Sequence, residues 1–459
     1  HIPVHIGSMA YAMNSVVAEF EWQAGDIIIF NDPYRGGTHL PDVTLIMPVF
    51  FNEQLAGFVA NRAHHADIGS DEPGSMPLSE HLHEEGIIIP PQYLGKNNQI
   101  DHSIYKKLFE TVQDTDTTFA DLSAQLSANL HGVKRLQYLI GERGLDEYRN
   151  FARQLLNYAE SMAVSFLNNI PDGEYQASDL MDDDGLGNKD IPIVVKVSVT
   201  KGKVIVDFTG TAKQVRGNIN CPRAVTAAAV YYAFRCLMSN DVPACMGAFR
   251  PIEILTQSKS LVDAQFPAAV AAGNVETSSR IVDVLFAALS QAASLEIPAH
   301  SQGTMNNIAM GSNADRPWSY YETIGGGAGA NLHSSGMDAV HTHMTNTQNT
   351  PIEVLEMVYP LRITRYAIRE GSAGQGQHDG GQGIVREFQF LQPGKVSILS
   401  DRRRHPPKGL NQGQAGAPGQ NFHNNEVIGG KVCLRVNEGD RIRIETPGGG
   451  GYGKSTTGN

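Results

Sequence analysis

The chain has 459 residues, 41% of them hydrophobic and 18% charged, a length that implies two or three packed lobes rather than one simple core. Its formal net charge of −12 argues against nucleic acid and anionic membrane as main partners, since both attract lysine and arginine. No apolar run reaches the roughly 18 residues that a membrane-spanning helix needs. The four cysteines (Cys221, Cys236, Cys245, Cys433) are too far apart for a CxxC site, which reads as a reduced, cytoplasmic chain without a signal peptide.

The sequence opens at His1 without a methionine, in HIPVHIGSMAYAMN. Residues 8–20 carry Met9, Met13, Val16, Val17 and Phe20 at helical spacing, and Gly25-Asp26 turns the chain into a strand over 27–30. Residues 31–37 form a turn-rich loop whose Arg35 suits either a substrate carboxylate or phosphate or an ordinary ion pair. Two strand-like runs, 43–50 and 55–60, then flank the polar break Phe51-Asn52-Glu53-Gln54, the pattern of a β-hairpin. A turn centred on Asn52-Glu53 sets Asp42 opposite Ala63, and a one-residue change in the loop sets it opposite His64. In either register His39, Asp42 and His64 gather at the open end of the hairpin. Two imidazoles and a carboxylate suit a divalent transition metal such as Mn, Fe or Zn, with coordination positions left for water or substrate. The bland alternative is that these residues cap turns. His64 and His65 point to opposite faces of a strand, so only one joins, and the other is left for a supporting or substrate role. His5 and Ser8 sit near this region; His5 reads as a buried, hydrogen-bonded loop residue.

Further on, His81, His83, Glu84 and Glu85 in HLHEE imitate a metal cluster but read as a polar loop. Helical spacing covers 101–112, 118–141 and 142–168, the last with a stripe from Tyr148 to Phe166 that belongs to a core or an interface. From Pro171 the period becomes two, with strands over 175–181, 193–200 and 204–209; Asp182, Asp183 and Asp184 read as a solvated turn rather than a Ca²⁺ loop. Asn218, Asn220 and Cys221 precede a helix over 224–238, where free amides could hold an anion, and Cys221 is a weak candidate nucleophile. Residues 274–278 read as the cap of a helix over 280–293, and Glu276 within them is a candidate for proton transfer. GGGAGAN lacks the dinucleotide fingerprint and reads as close backbone packing around a pocket. His341, His343 and Thr345 alternate as on one strand face, for a second metal, for substrate or for structure. The last third alternates strands with glycine turns, and Arg402, Arg403 and Arg404 either hold anions or form an exposed basic run. GGGGYGKS (448–455) satisfies the P-loop pattern, but only four residues follow it, too few for the helix a P-loop needs. The whole reads as an α+β, multi-lobed chain: a metal-site hairpin region (1–100), a helical segment (101–170), a mixed α/β region (171–345) and a β-rich C-terminal region (346–459).

These motifs also carry a resemblance. NDPYRGGTHLPDVTL, NRAHHADIGS, AVAAGNVETSSRIVD, SQGTMNN, ETIGGGAGA, VHTHMTNTQNTPIEVLE, LSDRRR and ETPGGGGYG together resemble the B-type subunit of the hydantoinase/oxoprolinase family, across nearly the whole chain. The family includes ATP-dependent N-methylhydantoinases, lactamases and the large subunits of acetone-type carboxylases. In its metal-containing members an HxxD pair and a later histidine are the ligands, which map onto His39, Asp42 and His64. Family members usually carry a further N-terminal segment. The resemblance implies a hetero-oligomer in which an A-type subunit binds ATP and Mg and phosphorylates a cyclic amide. The B-type chain then completes hydrolysis with a metal-bound water, with His65 or Glu276 moving protons. It equally implies an alternative, a ketone carboxylase on the same scaffold. A third reading is a non-catalytic scaffold whose metal is structural.

Overall fold

The computed structural model describes residues 2–112, 115–312 and 317–455. His1 and residues 456–459, where the chain leaves no length for a phosphate-binding helix, lie outside the described residues. The architecture is α+β, as the sequence pattern implies, with four open sheets.

The first lobe holds α1 (Ser8–Val16), β1 (Ile27–Phe30), β2 (Asp42–Phe51), β3 (Gln54–His64), β4 (Gln92–Lys96) and β5 (Gln99–Ile100), in sheet order β3-β2-β1-β4-β5. All four residues of β1 are buried because both sheet faces are covered. One face packs Ile27, Ile29, Val43 and Leu45 under α2 (His102–Leu108) and α3 (Thr115–Arg143), and the other packs Ile28, Phe30 and Ile46 under α1. The β2–β3 turn is the expected one: Asn52 and Glu53 both take positive φ (47° and 62°), which matches the twist of a two-residue hairpin. A bulge between Val49 and Phe50 then shifts the register by one residue and sets Asp42 opposite His64 rather than Ala63.

The helices break later than the spacing suggests. Gly141 stays within α3, and Gly144, at φ 87°, makes the turn into α4 (Leu145–Leu167). The apolar stripe of α4 divides. Ala159, Ala163 and Leu167 are buried, whereas Phe151, Leu155 and Tyr158 remain 49%, 49% and 57% exposed.

Next come β6 (Gly173–Asp183), β7 (Lys189–Thr200), β8 (Lys203–Asp207), α5 (Arg223–Leu237) and β9 (Ile252–Leu255), with the sheet ordered β6-β7-β8-β9. α6 (Ser278–Leu289) and α5 cover this sheet and build the largest core. The segment read as a cap is instead a single π turn, Gly273–Thr277, continuous with α6. The remaining strands are β10 (Asn307–Ser312), β11 (Trp318–Glu322), β12 (Leu361–Arg369), β13 (Gly383–Phe390), β14 (Gly394–Leu399), β15 (Gln420–His423), β16 (Glu426–Ile428), β17 (Lys431–Val436) and β18 (Arg441–Glu445), with one short helix, α7 (Ile352–Val358). They form two sheets, β11-β10-β14-β17 and β12-β13-β18-β15-β16, which share a core of Ile308, Met310, Phe388, Phe390, Val396 and Ile442.

Glycine-rich segments stack backbone on backbone beside these sheets. Amides of Gly448, Gly449, Gly450 and Gly451 donate to the carbonyls of Ala417, Gly381, His300 and Gln414, and Gly327 donates to Pro447. Thus GGGAGAN packs closely as expected, but against other glycine segments rather than around a pocket. A Cβ on Gly449 would lie 1.9 Å from the Ala328 carbonyl oxygen, whereas one on Gly57 would meet nothing within 4 Å. Gly449→Ala is expected to lose about 1–3 kcal/mol of stability in urea unfolding, and Gly57→Ala far less; equal losses would contradict the stacking.

Candidate functional site

The hairpin's open end builds the site. Asp42 begins β2, its amide donating to the His39 carbonyl at 3.0 Å, so His39 and Asp42 lie across one tight turn. His64 ends β3 directly opposite. His39 Nε2 is 3.3 Å from Asp42 Oδ2, His64 Nδ1 is 3.4 Å from Asp42 Oδ1, and the His39 and His64 rings are 5.1 Å apart. Among the described residues these three are the group able to share an ion, with ligand atoms all within 4.8 Å of one another. Ligands at about 2.1 Å from a common cation lie up to ~4.2 Å apart, so little adjustment closes the set. His39 Nδ1 is buried without a partner, a donor set and an orphan that fit a transition metal.

Asp42 is buried, which alone would raise its pKa, but the charges and hydrogen bonds of His5 and His39 outweigh this and hold the carboxyl well below its usual range. His5 is the residue that sequence reading undervalued. Its Nε2 sits 2.8 Å from Asp42 Oδ2, and the Thr38 hydroxyl donates to the same oxygen. No local pattern marks it, because it arrives from a 3-10 turn 37 residues upstream. Tyr321, on β11 of another lobe, was likewise missed; it stacks on His64 at 5.5 Å and 25°.

The other candidates separate from this cluster. His65 turns to the opposite face, where Nε2 meets Gln125 Oε1 of α3 at 3.0 Å, and burial lowers its pKa. Glu276 lies in the π turn, accepting from the Met305 amide and from Asn307 Nδ2. Burial and then the Asp401 charge push its carboxyl up to about 8, so it holds a proton near neutrality. Arg35 takes the ion-pair alternative, with Glu19 and the Ser15 hydroxyl. His341 and His343 share no strand: His343 sits at φ 56° with Nδ1 3.4 Å from the Tyr232 hydroxyl, and His341 Nε2 is 3.4 Å from Thr347 Oγ1.

Asp182 and Asp184 are buried rather than solvated. Asp182 accepts from the amides of Arg403, Arg404 and His405. Arg402 and Arg403 are neither exposed nor free for anions, since Arg402 pairs with Asp179 at 3.0 Å and with Asp283, and Arg403 donates to Asn306 and Asn421. Asn218 and Asn220 spend their amides on the carbonyls of Pro77, Val215, Gly217 and Ala269. Burial pushes the Cys221 thiol up to about 12, which leaves it inert as a nucleophile. The P-loop pattern fails on chemistry as well, because its glycine amides are engaged by carbonyls.

A mixed α+β scaffold that holds two imidazoles and a carboxylate at a hairpin mouth defines a candidate metal-dependent enzyme component. The model of the Hydantoinase B/oxoprolinase family matches residues 1–455, and the chain belongs to that family. It is 37% identical to 5-oxoprolinase 1 of Arabidopsis thaliana over 99% of this chain but only 38% of that protein, so it spans little more than a third of such relatives. It is 40% identical to an uncharacterized protein of Methanocaldococcus jannaschii, covering 99% of this chain and 81% of that one. A D-/L-hydantoinase component of the B type, from Pseudomonas sp., is 32% identical over 94% of this chain and 76% of its own. The solved ATP-dependent caprolactamase of Pseudomonas jessenii superimposes with TM-score 0.90 at 26% identity, over 99% of this chain and 82% of that one. An acetone carboxylase superimposes with TM-score 0.87 at 17% identity, over 98% and 68%, a likeness of fold alone.

Within the HLHEE stretch the rings of His81 and His83 stack on each other at 5.6 Å, and Glu85 is buried, accepting from Ser79 and from the amides of Val270 and Ala271. Burial raises Glu85 from 4.5 to about 8. The folded state therefore keeps a proton that the unfolded chain releases, and this contribution fades as pH rises from about 4.5 through about 8. Glu85→Gln, neutral at every pH, should show a flatter stability profile across that window in urea unfolding; identical slopes would contradict the burial argument.

Proposed function

We propose that this chain is the metal-bearing B-type component of an ATP-dependent enzyme that opens a cyclic amide ring, acting on a substrate phosphorylated by an A-type partner. The convergence of His39, Asp42 and His64 carries this reading. The relatives named 5-oxoprolinase, D-/L-hydantoinase and caprolactamase supply its substrate class, since oxoproline, hydantoin and caprolactam are all cyclic amides. The Pseudomonas hydantoinase relative is one component of a larger enzyme, which supports a separate partner, while the longer 5-oxoprolinases extend well beyond the matched region within one chain. ATP and Mg belong to the partner in this proposal, and the assembled complex works in the cytoplasm. Among the described residues no helix is long and apolar enough to cross a membrane.

The residues divide the labour as follows. His39 and Asp42 are almost fully buried and fix two ligand positions, while His64, 29% exposed, closes the set from the solvent side. A divalent cation such as Mn, Zn or Fe, when bound there, supplies a Lewis acid and lowers the pKa of a coordinated water toward neutrality. His5 and Thr38 hold Asp42 by one oxygen, Oδ2, leaving Oδ1 toward His64. Ring opening leaves an amide nitrogen in need of a proton, and Glu276, protonated near neutrality, is the group we assign as its source. His65 has its ring engaged by Gln125 and takes no proton-transfer role in this reading.

The reading is tested on the chain purified with its A-type partner. ATP turnover is expected with hydantoin, 5-oxoproline or caprolactam; turnover only with acetone or acetophenone plus bicarbonate would replace it with the carboxylase reading. Mass-spectrometric metal analysis should find a divalent transition metal in the wild type and in His65→Ala, and none in His39→Ala or Asp42→Asn. The two ligand variants should lose more activity than the about 10–100-fold seen when a residue that merely orients ligands is changed. Full turnover without metal would make the site structural.

A further inference from the structure

The candidate centre is held mostly by one lobe, but its most exposed ligand is not. His39 and Asp42 are packed inside the first lobe, whereas His64 is the last residue of β3, with 29% of its side chain exposed. Its ring lies between two others. His39 is 5.1 Å away and tilted by 41°, and Tyr321 is 5.5 Å away and nearly parallel at 25°. Tyr321 comes from β11, the edge strand of the β11-β10-β14-β17 sheet, and so reaches His64 from a different part of the fold.

Tyr321 is itself anchored. Its hydroxyl donates to Asn307 Oδ1 at 2.6 Å, and Asn307 Nδ2 donates to Glu276 Oε1 at 3.0 Å and to the Leu399 carbonyl at 2.9 Å. Asn307 and Glu276 are buried, and Glu276 also takes the Met305 amide at 3.1 Å. Gly74 packs against the Tyr321 side chain, 3.4 Å from the Tyr321 Cβ when a Cβ is placed on it, and its amide is held by the Ser319 hydroxyl at 3.0 Å. The phenol therefore has little freedom at either end.

We infer that Tyr321 is a positioning residue for the metal centre: its ring fixes His64 in the ligating orientation, and Asn307 and Glu276 fix the ring. This rests on the metal reading above and adds a specific dependence to it. Capture of the cation couples the first lobe to the β10–β11 sheet, because the third ligand is aligned by a side chain from that sheet. A change at Tyr321 should then weaken metal binding although the residue offers no ligand to the set.

The test is cobalt(II) titration of the full chain, followed by the visible spectrum, with circular dichroism to confirm folding. Tyr321→Ala should bind cobalt about 10–100-fold more weakly than wild type and shift the visible band, as changes in residues that orient metal ligands do. Tyr321→Leu keeps apolar bulk without the flat ring, should lose as much, and carries the test if the alanine variant does not fold. Tyr321→Phe keeps the ring but not its anchor, so it should lose less affinity and still shift the band. Wild-type affinity and spectrum in both the leucine and phenylalanine variants, while His39→Ala loses cobalt, would overturn this inference alone. Wild-type binding by His39→Ala as well would remove the metal reading with it.

Discussion

The structure around the site depends on keeping one carboxylate charged where water cannot reach it. Taking an isolated carboxylate out of water costs several kcal/mol, so a buried aspartate persists only when its oxygens are fully engaged. Asp42 meets that condition with imidazoles from His5, His39 and His64 and the hydroxyl of Thr38. Arg62 adds a buried guanidinium whose charge interacts with Asp42 while its nitrogens are held by Ser8, Thr44 and the Gly36 carbonyl. These partners come from the N-terminal turn, the 31–41 loop and both hairpin strands. The carboxylate therefore ties α1 and the loop to the sheet as well as offering an oxygen to a cation.

A second buried charge network joins the other lobes. Asp401 accepts from Arg280 at 2.7 Å and from Lys431 at 2.8 Å, and Arg402 binds Asp179 and Asp283. Lys431 and Arg280 outweigh the burial that would raise Asp401, and hold it near 2. That fixed negative charge is also one reason Glu276 keeps its proton. The same network thus sets the join between β6, α6 and the 399–405 loop and, through Asp401, the protonation of the acid that Asn307 links toward Tyr321. Structural and chemical roles are inseparable here, because the charges that lock the lobes are those that tune the candidate acid.

Much of this was legible because it is local. The polar break at Asn52-Glu53 fixes a two-residue turn, and the period-2 run after Pro171 gives β6, β7 and β8 to within a few residues. HxxD with a later histidine places three residues at one hairpin end in either register, so the bulge at Val49/Phe50 decided only which residue faces Asp42. What failed was non-local. Residues 274–278 have the composition of a cap, yet the backbone continues as a π turn because Gly273 packs against the Asn220 carbonyl and Thr277 bonds to Ile219. The arginines at 402 and 403 look exposed until the carboxylates of β6, the loop after it and α6 are brought around them.

The glycine-rich tail shows the same division from the other side. GGGGYGKS satisfies a phosphate-loop pattern because both solutions need residues without a Cβ where backbones approach closely. A phosphate loop leaves its amides pointing at a ligand, whereas here successive amides from Gly448 to Gly451 are spent on carbonyls of four other segments. Sequence records the absence of side chains and is silent on what fills the space. Only the partners distinguish an anion cradle from a packed layer, and the same holds for His5 and Tyr321, whose part in the site is defined by what the fold sets beside them.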